Sequence, residues 1–182
     1  SRQWKVGEQD IVLMNPPFTR KQSILAFGQS YREELLSRFQ DDYDGLVTHN
    51  SPLYQYFILL ADRLLGKQGT VAAILPTTML RSEDAQNIRK WLLEKYLIKF
   101  IIVRLDTAGF SEDTQFREMI FIAEKAKNTL AIHHNEVCFV FIKKMESDLA
   151  EKIMAIKDAI SGQDTRSFHL RIKKQADLSC MN

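Results

Sequence analysis

The chain has 182 residues, of which 45% are hydrophobic and 26% are charged, and its formal net charge is +2. These proportions are typical of a globular domain with a real core and exclude a disordered, fibrous or disulfide-rich chain. The near-neutral charge lacks the strongly basic character that marks many nucleic-acid-binding domains. Only 7 residues are glycine, and no two are separated by a single residue, so the glycine-rich loop of many nucleotide-binding proteins is absent.

The cysteines and histidines predict neither a disulfide framework nor a metal site. Cys138 and Cys180 lie far apart with no Cys-x-x-Cys spacing, which is ordinary cytoplasmic usage. His133 and His134 fall in an expected turn between strands, where the i, i+4 spacing of a helical metal site cannot form. No apolar run approaches the ~18 residues of a membrane span, and no signal-peptide pattern is present. We therefore expect a cytoplasmic protein that makes no membrane contact.

The first third of the chain predicts one strand and two helices. Residues 10–14 are a continuous apolar run of strand length, which is typical of a buried parallel strand. Apolar residues at helical spacing then predict a helix over about 21–40. For the second helix we expect Ser51 as the N-cap, Pro52 in the first helical position and Gly66 at the end.

A second strand and a third helix follow. The strand covers residues 70–75 and ends at Pro76. Ser82 is the expected N-cap of the third helix, whose first turn is acidic. The residues predicted to face the core from this helix and its end are Ala85, Ile88, Leu92 and Tyr96.

The last part of the chain predicts further strands and one helix. The strands are expected at 97–105, 118–124 and 136–143. A polar stretch between the last two suggests a hairpin connection. A fourth amphipathic helix is expected between Ser147 and Gly162, and the strict alternation of 168–173 predicts an edge strand or the lead into another domain.

This order of elements predicts an α/β sheet, parallel in its first strands and antiparallel towards its end. In open sheets of this kind, ligands bind beyond the carboxyl ends of the strands. Residues 15–18, which follow the first strand, occupy that position.

Asn15, Pro16, Pro17 and Phe18 form the one specific motif of the chain. Pro17 disfavours the helical conformation of Pro16, so the Pro16 carbonyl stays out of a helix and can accept a hydrogen bond from a ligand. The amide oxygen of Asn15 is a second acceptor beside it, and two acceptors that converge on one NH2 group can hold a planar amine. The Phe18 ring offers a face on which a nucleobase could stack. The alternative is a rigid turn whose phenylalanine belongs to the core.

The motif and the segments after it resemble the N6-adenine DNA methyltransferases, especially the large enzymes of type I and type II restriction-modification systems. The family's Asp/Asn/Ser-Pro-Pro-Tyr/Phe motif matches residues 15–18 residue for residue. The segments that look like the family's later strands and helix are 69–76, 88–89, 97–105 and 114–124. The resemblance covers about residues 8–145. It implies the later strands of a Rossmann-like, S-adenosylmethionine-dependent methyltransferase sheet.

The resemblance implies a role for each residue of the motif. Asn15 and the Pro16 carbonyl would bind the N6 amine of an adenine flipped out of DNA, and Asn15 would also border the site of S-adenosylmethionine. Phe18 would stack on the base, and Phe110 matches the family's second aromatic wall. The residues that could meet the DNA backbone, or could simply begin a solvated helix, are Thr19, Arg20 and Lys21.

The resemblance also implies that part of the catalytic domain is missing. In the family, a glycine-rich loop and an acidic residue bind the methyl donor, and both precede the motif. Here only nine residues precede Asp10, and no such loop exists. We therefore expect residues 1–145 to be a partial catalytic domain without its first strands. Residues 146–182 would be a helix and a strand that lead towards a missing target-recognition region, and this piece alone would not methylate DNA.

The family's sheet places the strand before the motif centrally, beside the strands expected to be missing. Residues 10–14 would then form an exposed apolar edge, which proteins normally cover. We expect that edge to be covered by self-association, by a helix, or by the missing parts of the parent protein.

Two other functions fit the same motif. Related methyltransferases that act on glutamine side chains of proteins, or on RNA bases, use the same arrangement of Asn-Pro-Pro-aromatic residues. A non-catalytic DNA-binding or specificity module could also keep the motif without the activity. The segments after Gly69 favour the DNA methyltransferase, and the sequence does not predict which DNA site it would recognise.

Overall fold

The computed structural model of the chain describes residues 7–18, 28–105, 117–143 and 168–179. The described strands are β1 (Gln9–Met14), β2 (Leu65–Pro76), β3 (Tyr96–Arg104), β4 (Glu118–Lys125), β5 (Glu136–Ile142) and β6 (Phe168–Lys174). The described helices are α1 (Gln29–Gln40), α2 (Leu53–Leu64), α3 (Gln86–Lys95), α4 (Thr129–His134) and α5 (Gln175–Ser179). Two short 3-10 turns lie between β2 and α3, at Thr77–Leu80 and Glu83–Ala85.

The six strands form one mixed sheet in the order β1-β2-β4-β3-β5-β6. β1 is parallel to β2, and β3 is parallel to β5. β4 lies between β2 and β3 and is antiparallel to both, and β6 is antiparallel to β5. The four strands β1, β2, β3 and β5 therefore point the same way, which confirms the predicted mixed α/β sheet.

β1 is an edge strand among the six, as predicted for residues 10–14. Its inner face, with Val12 and Met14, packs against the core. On its other face, Ile11 is 62% exposed and Leu13 is 76% exposed. The expected exposed apolar edge is therefore present in the fold.

The main core lies between one face of the sheet and the helices. The helices α2 and α3 follow β1 and β2 and place their apolar faces on this side, as shown by Leu59 and Ile88, each 0% exposed. Facing them, the central strands contribute Leu75 of β2 and Met119 of β4, also 0% exposed. The aromatic ring of Phe39 extends this core from α1.

The expected limits of the second helix were wrong. Pro52, not Ser51, is the N-cap residue, and Ser51 instead accepts a hydrogen bond on its Oγ from the Thr48 amide at 2.9 Å. Gly66 does not end the helix, because the chain already turns into β2 at Leu65, which has extended backbone angles and is 4% exposed. Leu65 already pairs with Gln9 of β1, so the chain leaves the helix one residue before the glycine.

β2 begins earlier than predicted and contains an irregular start. Leu65 pairs with Gln9, and Thr70 pairs with Ile11. Five residues of β2 therefore lie opposite two residues of β1, and the register shifts near the start of β2. Gln68 has a left-handed φ of 62° inside this irregular segment. Such bulges insert extra residues into one strand, which a pattern of apolar residues does not reveal.

The third helix agrees with its predicted core face, although its start differs. A 3-10 turn precedes the α-helix, and Ser82 makes no side-chain cap bond. The four residues expected to face the core are all at most 2% exposed: Ala85, Ile88, Leu92 and Tyr96.

The predicted hairpin between the strands at 118–124 and 136–143 was wrong. β4 and β5 are not neighbours, because β3 lies between them. Their connection contains α4, whose N-cap Asn128 accepts a hydrogen bond on its side chain from the Ala131 amide at 2.9 Å. His133 and His134 therefore lie in the last turn of a short helix, not in a turn between strands.

The C-terminal strand was predicted correctly as an edge strand, since β6 pairs only with β5 in the described sheet. Gln175, directly after it, is 0% exposed and joins this segment to the core. Its Nε2 donates to the carbonyls of Leu93 and Tyr96, at 2.9 and 2.7 Å, and its Oε1 accepts from the Ile98 amide at 2.9 Å. The helix expected between 147 and 162 lies outside the described residues.

Candidate active site

The predicted motif lies where the α/β sheet places binding sites, directly after the carboxyl end of β1. Asn15 is exposed, and it is the first residue beyond the strand. Pro16 is buried and Pro17 is exposed, so the two prolines anchor the turn on one side and leave the other side accessible.

A cavity of about 360 Å³ opens beside Asn15. Its walls are Leu13 and Met14 of β1, residues 72–74 of β2 and Ile120 of β4. These walls are apolar, and among the described residues that line the cavity Asn15 is the only one with a polar side chain. Ligand sites commonly combine such apolar walls with a few polar groups that fix orientation, in volumes of roughly 300–1,000 Å³.

Phe18 has a double environment. It is half-buried and packs against the main core, so the alternative of a core phenylalanine holds for part of its ring. The remaining exposed part of the ring is accessible to a base, as the predicted stacking requires. Phe18 is therefore better positioned than a freely rotating surface ring, because contact with the core restricts its orientation.

The turn after β2, which the sequence did not single out, lies at the same carboxyl edge of the sheet as the motif. Thr77 donates two hydrogen bonds to the Arg117 carbonyl, from its amide at 2.8 Å and from its Oγ1 at 3.1 Å. Arg89 of α3 donates from Nη1 to the Met79 carbonyl at 2.9 Å and also to the Ser82 carbonyl. The turn is thus held to β4 on one side and to α3 on the other.

Glu118 is a second residue that the sequence did not identify. It opens β4, pairs with Pro76 at the end of β2 and is only 3% exposed. Its place at the carboxyl edge of the sheet depends on the antiparallel direction of β4. The residue pattern gave no signal for this, because a glutamate before an apolar run is normally a solvated strand start.

The other predicted site residues cannot be compared with the geometry. Thr19, Arg20, Lys21 and Phe110 lie outside the described residues. Within the described ranges, no group of three or more His, Cys, Asp or Glu side chains is placed to hold a metal ion. None of the helices described is long and apolar enough to cross a membrane.

The sheet order and the position of the motif define the chain as a mixed α/β protein of the methyltransferase type. Residues 3–110 match the Eco57I restriction-modification methylase family, and the chain belongs to this family.

Solved structures with the same fold come from restriction-modification systems and related methyltransferases. The methyltransferase subunit of a type I restriction-modification system from Streptococcus thermophilus is 22% identical, with a TM-score of 0.66 over 97% of this chain and 36% of its own. A putative class I S-adenosylmethionine-dependent methyltransferase from Listeria monocytogenes is 18% identical, with a TM-score of 0.57 over 86% of this chain and 43% of its own.

A third similar structure is the ATP-dependent type ISP restriction-modification enzyme LlaBIII bound to DNA. It is 16% identical, with a TM-score of 0.57 over 88% of this chain and 12% of its own. At these identities the likeness concerns the fold. The chain spans about a third of the length of the first similar structures, 35% and 36%. No curated protein matched the sequence.

Proposed function

We propose that the chain forms the adenine-binding part of a DNA adenine-N6 methyltransferase of a restriction-modification system. The observation behind this proposal is the position of Asn15, exposed at the carboxyl end of β1 and bordering a cavity with apolar walls. Membership of a restriction-modification methylase family favours DNA as the substrate. Because its target is cellular DNA, the protein would act in the cytoplasm.

Asn15 and the Pro16 carbonyl would accept the two N–H bonds of the adenine amine. Two acceptors fix the plane of the amine and leave the nitrogen lone pair directed away from them, so catalysis would rest mainly on positioning. The exposed part of Phe18 would stack on the base, which is worth roughly 1–3 kcal/mol. This stacking offsets part of the few kcal/mol needed to extrude a base from the duplex.

The described residues fit only one side of a site for S-adenosylmethionine, which would supply the methyl group. Asn15 and the wall of residues 72–74 border the cavity, but the sequence has no glycine-rich loop to hold the donor's charged and ribose groups. We therefore assign the base-binding side to this chain and derive no role for it in holding the rest of the donor.

The donor-binding side of the site would lie next to the free edge of β1. A parallel strand added there would put its own carboxyl-end loop next to Asn15, since loops at the carboxyl ends of adjacent parallel strands share one edge. The exposed Ile11 and Leu13 are the apolar surface that such a neighbour would cover. We propose that donor-binding strands of the same methyltransferase cover this edge, in preference to a second copy of the chain.

The test of this function is the variant Asn15→Ala in the complete methyltransferase, donor-binding strands included, assayed for DNA binding and for methyl transfer to adenine. We expect methyl transfer to fall by at least 100-fold while DNA binding remains, because the acceptor acts on the amine and not on the backbone. A matched control is Asn128→Ala, which removes an asparagine side chain from the N-cap of α4. Retention of methyl transfer in Asn15→Ala would contradict the proposal.

The other functions give different results in the same assay. A non-catalytic specificity module would bind DNA and transfer no methyl group in either the parent or the variant. A glutamine or RNA methyltransferase would show Asn15-dependent transfer to protein or RNA and none to DNA.

A further inference from the structure

A row of basic residues follows the carboxyl edge of the sheet, beside the candidate site. Arg81 lies in the turn after β2, Arg117 directly precedes β4 and Lys143 directly follows β5. All three are exposed. Arg104, the last residue of β3, lies between them in the sheet order, and it is half-buried with another interaction. The four strands that follow β1 in the sheet order are β2, β4, β3 and β5. Each of them therefore has a cation at or just beyond its end at this edge.

The acidic residues near this edge do not cancel the row. Glu118 is only 3% exposed, so its carboxylate does not reach the surface between the cations. Glu83 and Asp84 are exposed in the second 3-10 turn, close to Arg81, so they offset charge at that end of the row and leave Arg117 and Lys143 as its less opposed members among the described residues. At the opposite edge, the strand ends have mixed charges, with Glu8, Lys67, Glu136 and Lys174.

The backbone of Arg81 and of Arg117 is held by hydrogen bonds of the turn after β2. The Arg117 carbonyl accepts two hydrogen bonds from Thr77, and the Arg81 amide donates to the Thr78 carbonyl at 3.1 Å. Neighbouring strands lie about 4.8 Å apart, so β4, two strands from β1, lies about 10 Å across the sheet from Asn15. The register puts Arg117 three residues, about 10 Å, further along the strand direction than Asn15, so the two are about 14 Å apart. At that distance Arg117 would meet the DNA backbone beside the flipped nucleotide and not the base itself.

We infer that Arg81, Arg117 and Lys143 form a phosphate-binding track that holds the DNA strand beside the flipped adenine. From β2 to β5 the track spans three strand spacings, about 14 Å. Each phosphate of a DNA strand carries one negative charge, so the three exposed cations match three phosphates. The inference rests on the proposed function, since it takes DNA as the ligand, and it adds the residues that bind the backbone.

The test is the salt dependence of DNA binding for a triple variant, Arg81→Gln, Arg117→Gln and Lys143→Gln. Each phosphate contact contributes a slope of about 0.9 to the fall of log K with log salt, so three lost contacts lower the slope by about 2.7. The matched control is Lys67→Gln, Lys127→Gln and Lys174→Gln, which removes the same charge from exposed positions elsewhere on the chain. We expect the control to change the slope by less than 1.

The outcomes separate this inference from the function on which it rests. A slope that is unchanged in the edge variant, or that falls equally in both variants, overturns the track. If Asn15-dependent methylation of DNA persists in that case, the proposed function stands and only the track fails. If the unaltered protein neither binds nor methylates DNA, both fail.

Discussion

At the scale of single residues, Asp62 of α2 is the polar centre of the core. Its Oδ2 accepts a hydrogen bond from the Tyr43 hydroxyl at 2.7 Å, and its Oδ1 accepts one from the Tyr96 hydroxyl at 2.6 Å. Lys125, at the end of β4, forms an ion pair with the same carboxylate at 3.0 Å. One carboxylate therefore joins α2 to the segment after α1 and to two strands of the sheet.

We predict that Asp62→Ala lowers the free energy of unfolding by about 3 kcal/mol, because it leaves two phenol donors without their acceptor and removes the carboxylate partner of Lys125, which keeps its bonds to the Asp62 and Leu65 carbonyls. Urea unfolding followed by circular dichroism measures the change. Asp42→Ala is the control, since the Asp42 side chain is 61% exposed in its ion pair with Arg63. We expect that control to cost about 0.5 kcal/mol. Equal losses in the two variants would contradict the role of Asp62.

At the scale of elements, a substitution at the free edge of β1 should affect the stability of the chain and its methyl transfer differently. Ile11 is 62% exposed and is not among the residues that line the cavity, so Ile11→Lys should change the stability of the isolated chain by less than about 0.5 kcal/mol. If donor-binding strands cover this edge, the same change places a charge in their interface, and we predict a loss of methyl transfer of tenfold or more. Leu130→Lys is the control, because Leu130 of α4 is 67% exposed away from this edge. Unchanged methyl transfer in Ile11→Lys would contradict the proposed covering of β1.

The sequence predicted those elements whose signals are local. The strand at 10–14, the buried face of α3 and the strand at 168–173 depend on residues close together in the chain, and each element was correct. The burial that the apolar run at 10–14 indicated was wrong, because β1 is an edge strand with no buried residue. The hairpin between β4 and β5 was wrong because strand pairing is not local: β3 inserts between two strands that follow each other in sequence. The early start of β2 was missed because it depends on the pairing of Leu65 with Gln9 of β1, which is not local either.

The candidate site shows the same division. The position of Asn15 after a strand was predictable because its motif is contiguous. The burial of Glu118 and its pairing with Pro76 were not, since both depend on the place and direction of β4 in the sheet. The two bonds from Thr77 to the Arg117 carbonyl join positions 40 residues apart, which no spacing in the sequence indicates.

At the scale of the whole molecule, buried tyrosines set the response to alkaline pH. Burial raises the pKa of Tyr56 to about 12, and its hydroxyl donates to the Thr48 carbonyl at 2.8 Å. Burial, followed by hydrogen bonds to Asp62, also raises the pKa of Tyr43 and of Tyr96. The folded chain therefore holds its tyrosine protons more tightly than the unfolded chain.

Because the folded-state pKa values lie above the ordinary value of 10, the tyrosines stabilise the fold fully below pH 10. This stabilisation is lost as the pH rises from 10 towards the raised values, since only the unfolded chain then releases the protons. We predict that the urea midpoint falls steadily between pH 9.5 and 11.5 and that Tyr56→Phe makes the fall shallower. A midpoint that is constant over this range would contradict the prediction.

The central claim is that Asn15 holds the amine of an adenine in DNA. The most direct measurement is the N6-methyladenine content of genomic DNA in the host whose own gene encodes Asn15→Ala, compared with hosts that have the unaltered gene or Asn128→Ala. We predict that N6-methyladenine disappears from one recurring DNA sequence in the Asn15→Ala host alone. The same methylated sites in all three hosts would contradict the claim.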